Sequence, residues 1–291
     1  MTFSPTTRKP FPTSGDQVTS RGVRIALNIA LAIAALITLL PFVWVVGGSL
    51  RTTADIHSDP GAWLPSAVTL SNFVHLFSLN NFGTYFANSI AVAALVVAGN
   101  LIAAAAAGYA LAKLEFRGKR LAFAAVLAAV MVPITAVFVP QFVVTVNLGL
   151  VNTLLGIALP MMVLPISIFI VRQYAASIPD ELIEAARIDG AGELRIFARI
   201  FLPLAGPALA TTVIMSFLFS WNNLIWPLVV AQSDGTYTLP VGLAATSQAA
   251  NHSTDYGLIL AGAVVVMLPV LVLFLFLQKY FVQGLAATGL K

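Results

Sequence analysis

The chain has 291 residues, of which 59% are hydrophobic and only 9% are charged, with a formal net charge of +4. A soluble globular domain carries roughly 25% charged residues, so this chain has too few to cover its surface in water and must use lipid as its main solvent. There is no cysteine, which excludes a disulfide framework, a thiolate nucleophile and a cysteine–zinc site.

Residues 1–24, rich in Thr, Ser and Pro, read as a disordered tail. Six apolar runs follow, at 25–46, 85–111, 121–146, 154–171, 204–231 and 258–277, and none contains Asp, Glu, Lys, Arg or His. Each is near or above the length of about 20 residues that crosses a hydrocarbon core. They show no period-2 alternation, so the fold class is all-α, a polytopic membrane protein with six transmembrane helices. The first run follows 24 polar residues and is too long for a signal peptide, so it reads as a retained span.

Between the first two runs, 47–84 holds the turn signals Asp59-Pro60-Gly61 and Leu64-Pro65-Ser66, with aromatic residues from Trp63 that continue to Phe86 at the start of the second run. This reads as a small ordered cap on the outer interface. The second run places Gly99, Ala103 and Ala107 on one stripe and Ala104, Gly108 and Ala112 beside it. Small side chains at that spacing predict close helix packing in lipid. Pro133, Pro140, Pro160, Pro165 and Pro227 punctuate the third, fourth and fifth runs. Each removes a backbone donor, and the freed carbonyls must face protein or a water-filled path, which suits a transporter.

With a cytoplasmic N-terminus, six spans return the C-terminus to the same side. The inner segments then hold 14 of the 15 basic residues and Arg51 alone lies outside. This is a strong positive-inside bias. The basic balance therefore needs no nucleic acid to explain it; insertion topology and anionic membrane lipid account for it. His57, His75 and His252 all fall outside and read as solvated loop residues, with no metal site implied.

The inner loop 172–203 is the longest charged stretch between spans on the inner side. Ser177 is read as a helix N-cap, Pro179 as a first-turn residue and Gly190 as the stop, with Asp180 and Glu181 favouring the positive end of the dipole. A second short helix runs from 193 to 200 and ends before Leu202-Pro203. Leu182, Ala185, Ala186 and Asp189 lie at neighbouring turns and form a small-residue face. A lipid-surface helix would be rich in lysine and arginine, whereas this one carries Asp180, Glu181, Glu184 and Asp189 against Arg187. A groove in a soluble partner is the better match.

Glu184-Ala185-Ala186, then Gly190 after three residues, Ile200 after nine more and Leu202-Pro203, resembles the EAA signature of permease subunits in binding-protein-dependent ABC importers. The 220–227 segment Ser-Trp-Asn-Asn-Leu-Ile-Trp-Pro, Thr238-Leu239-Pro240-Val241-Gly242-Leu243 and the 280–285 ending resemble its carbohydrate branch, most closely the maltose-type (MalG-like) second permeases. The likeness runs from about residue 25 to the end; Asn223 departs from the acidic residue of many members. The resemblance implies a type I importer permease of the cytoplasmic (inner) membrane. Glu184, Ala185, Ala186, Asp189, Gly190, Ile200, Leu202 and Pro203 would form the coupling region that docks in an ABC ATPase dimer. It also implies a second homologous permease chain and an extracytoplasmic solute-binding protein, with segment 232–256 projecting toward the latter.

No GxxxxGK[ST] occurs, so the chain is not itself an ATPase and binds no cofactor; ATP and Mg belong to the partner ATPase. Polar and aromatic residues in the spans are the pathway candidates: Asn100, Thr135, Gln141, Ser216, Ser220, Trp221, Asn222 and Asn223. Amides, hydroxyls and an aromatic face suit an uncharged sugar or polyol, although interhelical hydrogen bonds use the same residues. Trp226 reads equally as a membrane-belt anchor or a solute contact. The alternative is an ion-coupled secondary transporter, which usually needs ionisable groups within the membrane; these spans have none.

Overall fold

Breaks within the apolar runs, as much as the runs, shape the computed structural model, which describes residues 21–79, 81–249 and 255–288. The expected disordered tail lies almost wholly outside the described residues. Among those described there is no strand, and the all-α expectation holds.

Helix α1 (Arg21–Ser49) continues through Pro41 and packs on the bundle chiefly against α15 (Tyr256–Thr288), itself continuous through Pro269. Most of α1 is exposed, with Leu31 at 66%. Apolar exposure on that scale suits lipid or another helix, not water.

After α1, the short helices α2 (Thr53–Ser58) and α3 (Ser71–Leu79) form the cap expected at 47–84. Its centre is Arg51, the one basic residue assigned outside. The guanidinium is buried and donates to the Asp55 carboxylate at 2.7 Å and to the carbonyls of Asp55, Asp59 and Ala62. The Asn72 amide closes the cap by donating to the Ser49 and Arg51 carbonyls. The hydrogen bond from Arg51 holds the Asp55 carboxyl below its ordinary range.

Helix α4 (Phe82–Lys113) spans 32 residues without a proline and lies in the middle of the bundle against α8 (Pro165–Ser177) and α12 (Gly206–Trp221). The predicted close packing is present. A Cβ added at Gly108 would sit 2.6 Å from Val171 Cγ1 and 3.0 Å from the Arg172 nitrogen; one at Gly99 would meet Met162 at 2.6 Å.

The third run is α5 (Lys119–Met131) and α6 (Ile134–Asn147), meeting at 101° around Pro133. The residue before it, Val132, is extended, as a pre-proline residue prefers to be. In the fourth, α7 (Leu154–Ala158) and a 3₁₀ turn at Leu159–Met161 meet α8 at 43°. Helix α8 reaches Ser177, so this arm continues past the expected end at 171. After α9 (Asp180–Ile188) comes an arm made of α10 (Glu193–Ile196), a π turn at Phe197–Phe201 and α11 (Leu202–Leu204). This arm meets α12 at 77°. The fifth run is not one helix to 231: it breaks after Trp221 and resumes as α13 (Ile225–Val230), before α14 (Leu239–Ala249). Among the described residues, three continuous helices and three bent pairs together give up to six spans.

Candidate functional site

Helix α9 projects from the end of the bundle where α4 terminates. Pro179, not Ser177, occupies its N-cap position. Ser177 closes α8 instead, donating to the Tyr174 carbonyl at 2.7 Å, because extended Ile178 and Pro179 stand between it and the new helix. The glycine stop is as expected. Gly190 has φ +78°, its N–H donates to Arg187 and that of Ala191 to Ala186, which is a complete Schellman closure.

One side of α9 is fixed and the other is free. Ile183 is buried and Ala186 packs with it on the bundle core. Glu184, Ala185 and Asp189 are exposed, as are the apolar side chains of Leu182 and Ile188, the latter at 86%. The expected face is thus corrected: Ala186 turns inward and Ile188 joins the exposed side. Ile200 and Leu202 pack against the same core, while Pro203 is exposed. Helix continues through Leu202-Pro203, contrary to expectation. The Leu202 N–H donates to the Phe197 carbonyl, and this wider turn makes room where the Pro203 ring would strike the Arg199 carbonyl.

Polar contacts bind this loop to α4. The Lys113 ammonium donates to the Ile178 carbonyl at 2.6 Å and to the Asp180 carboxylate, which it holds below the ordinary carboxylate range. The Tyr109 hydroxyl donates to Glu193 at 3.0 Å, and Arg187 donates to the other oxygen of the same carboxylate at 2.7 Å. That bond raises the pKa of Arg187.

The second feature is a cleft of about 820 Å³. Three of the breaks border it, through Val132 and Ile134, through Pro160 and Pro165, and through Asn222 to Trp226, whereas the break between α11 and α12 does not. Of the expected pathway residues, Thr135, Gln141, Asn222 and Asn223 line it together, beside the aromatic rings of Phe138, Phe219 and Trp226. Among the described residues, none that lines it is charged. The Asn223 side-chain oxygen accepts the Trp226 N–H, which starts α13.

The other four candidates lie elsewhere and are engaged. Asn100 donates to Ser167 and accepts from Leu164. Ser216 and Ser220 donate to carbonyls one turn back in α12. Trp221 is 1% exposed, stacks on Phe217 and donates to the Val266 carbonyl at 3.0 Å. Trp226 is also buried, edge-on to Phe138, a position that does not suit a belt anchor.

At the opposite end from α9, the described part of segment 232–256 is tied down. The Asn152 side-chain oxygen, on a residue with φ 58°, accepts from Gln232 and Ser233. Asn88 donates to the Gly235 and Tyr237 carbonyls, and Ser89 accepts the Leu239 N–H at 2.7 Å. Residues 250–254, where the expected projection also falls, lie outside the described residues.

Residues 99–287 match the family described as binding-protein-dependent transport system inner membrane component. The chain belongs to this family. The arabinooligosaccharides transport system permease protein AraQ of Halalkalibacterium halodurans is 39% identical over 268 residues, covering 91% of this chain and 95% of AraQ. The lactose transport system permease protein LacG of Rhizobium radiobacter is 32% identical over 255 residues, covering 88% and 92%. Among solved structures, a crystal structure of a bacterial ABC transporter involved in the import of the acidic polysaccharide alginate matches with a TM-score of 0.76 and 28% identity. That match covers 94% of this chain and 100% of the other.

This permease is therefore a multi-pass membrane component of a binding-protein-dependent importer, as the EAA spacing implied, and its relatives are those of the carbohydrate branch. Nothing among them supports the ion-coupled alternative. The residues that sequence reading missed are Tyr109, Lys113 and Glu193. The signal available was the i,i+4 spacing of Tyr109 and Lys113 at the end of a span, which places them on one face but does not say what they meet.

Proposed function

We propose that this permease carries an uncharged sugar or related polyol, driven by an ABC ATPase dimer that docks on α9. The observation that carries the docking is the free face of α9. Leu182, Ala185 and Ile188 are exposed beside Glu184 and Asp189, on a helix whose other side is fixed to the bundle. Exposed apolar side chains on an otherwise acidic helix suit a protein groove. The partner ATPase binds ATP and Mg and performs the hydrolysis, so this chain contributes no catalytic group.

Closure of the ATPase dimer displaces α9, and the bent spans rearrange around the cleft between inward- and outward-open states. Thr135, Gln141, Asn222 and Asn223 supply hydrogen bonds there and Phe138, Phe219 and Trp226 supply faces for the apolar side of a sugar ring. An uncharged lining favours a neutral solute over an acidic polysaccharide, because a buried anion needs a paired charge. A second homologous permease completes the pathway, an extracytoplasmic solute-binding protein delivers the solute, and both termini are cytoplasmic.

The test is a reconstituted complex of this chain with its neighbouring permease, ATPase and binding protein in liposomes. Arabinooligosaccharides are the first probes, given the relationship to AraQ. ATP hydrolysis stimulated by loaded binding protein, with accumulation of a neutral saccharide, is the expected result. Stimulation by anionic saccharides alone, or uptake driven by an ion gradient without ATP, would overturn it.

A further inference from the structure

Among the described residues, α4 is the one long continuous helix that contains no proline. Both of its ends are gripped by polar contacts with distant segments. Tyr109 and Lys113 are one turn apart and share a face. The Tyr109 ring sits against Phe197 and Phe201, with centroids at 5.3 and 4.9 Å, while its hydroxyl reaches Glu193 at the start of α10. Lys113 reaches Ile178 and Asp180 at the start of α9. The two residues thus hold the beginnings of both helices of the loop.

At the other end, Asn88 holds the carbonyls of Gly235 and Tyr237, and Ser89 holds the Leu239 N–H. Tyr85, one turn earlier, lies under Gly242 so closely that no Cβ would fit. From Asn88 to Lys113 the helix axis spans about 37 Å. The bent pairs α5–α6, α7–α8 and α10–α12 can each absorb a displacement at their break. An unbroken helix bonded at both ends transmits it.

Resting on the reading above, we propose that α4 is the rod through which the loop bearing α9 and segment 235–242 sense each other's position. Tyr109 and Lys113 are positioning residues at one end, and Asn88 and Ser89 at the other.

The test is amide hydrogen exchange on the full-length permease in lipid nanodiscs. Tyr109→Phe with Lys113→Gln is expected to raise exchange at 235–242 about fivefold or more, matching the usual size of a coupling between sites. Asn88→Ala with Ser89→Ala should raise exchange at 180–193 in return. The charge exchange Lys113→Asp with Asp180→Lys keeps the ion pair but not the bond to the Ile178 carbonyl. It should bring exchange at 235–242 back toward the wild-type level relative to Lys113→Asp alone, which a purely local packing role would not require. Changes confined to the mutated end in both variants would overturn the proposal. In the assembled transporter, the first variant should retain co-purifying ATPase yet lose stimulation by loaded binding protein. If the wild-type complex shows no such stimulation, the transport reading fails, while the exchange experiment still decides the role of α4.

Discussion

The side-chain oxygen of Asn100 accepts the backbone N–H of Leu164 at 3.2 Å, where the fourth run breaks, while its amide donates to Ser167 at 3.1 Å. A break at membrane depth frees backbone groups that lipid cannot satisfy; α4 supplies the missing partner. Asn100→Leu strands both groups in a fully buried site. The expected loss is about 1–3 kcal/mol, read as a lower thermal midpoint in detergent. An unchanged midpoint with lost uptake would return Asn100 to the solute pathway.

Gly108 is the tightest test of the α4–α8 contact. A Cβ there meets both Val171 and the Arg172 backbone nitrogen, and backbone cannot swing aside. Gly108→Val should cost about 1–3 kcal/mol as overpacking. Gly83→Val at the start of α4, where a Cβ meets nothing within 4 Å, serves as the control for thermal melting.

Gly190 tests the end of α9. Nothing lies within 4 Å of a Cβ there, but φ is +78°, so the cost is conformational. Gly190→Ala should destabilise the turn by about 1–2 kcal/mol, with Gly190→Asn milder because asparagine tolerates the left-handed region. Gly190→Asp should leave the chain inserted but uncoupled, with less co-purifying ATPase and less uptake. Wild-type levels of both would refute the docking role.

Within the cleft, Gln141→Leu and Asn222→Leu each remove one uncharged hydrogen-bonding group. Each should raise the KM for uptake about fivefold, the equivalent of about 1 kcal/mol. Ser216→Ala, which alters only a bond within α12, should leave KM unchanged. Equal effects at all three positions would remove the cleft as the pathway.

The Lys113–Asp180 contact has a defined pH sign. The hydrogen bond from Lys113 holds the Asp180 carboxyl below its ordinary range. The contact is therefore fully present above about pH 4 and is lost only as pH falls through the lowered value. Coupling through it should be flat from about pH 5 to 8. Asp180→Asn should lower binding-protein stimulation across that whole window; a loss only toward acid pH would contradict the assignment.

Much of the candidate site was legible because it is written locally. Gly190 could be read as a stop since a Schellman turn depends on residues adjacent in the chain. The neighbouring stripes that hold Gly99 and Gly108 could be read as close packing because helical spacing is fixed. Pro133, Pro160 and Pro165 marked breaks for the same reason. Ser177 was misplaced because two extended residues moved the start of α9 beyond its reach. Ala186 was placed on the docking face because spacing cannot say which side of a short helix meets the bundle.

The sequence by itself determined that lipid is the solvent, that the chain is all-α with up to six spans and that it carries the EAA spacing of its family. Run length, charge distribution and motif spacing are properties of neighbouring residues. Only the tertiary structure decided which amides face the cleft and which serve as internal partners. The hydrogen bonds of Trp221 with Val266, of Asn100 with Leu164 and of Tyr109 with Glu193 join groups far apart in the chain. In a medium that offers no competing water, those distant partners decide whether a polar group remains free to meet a solute.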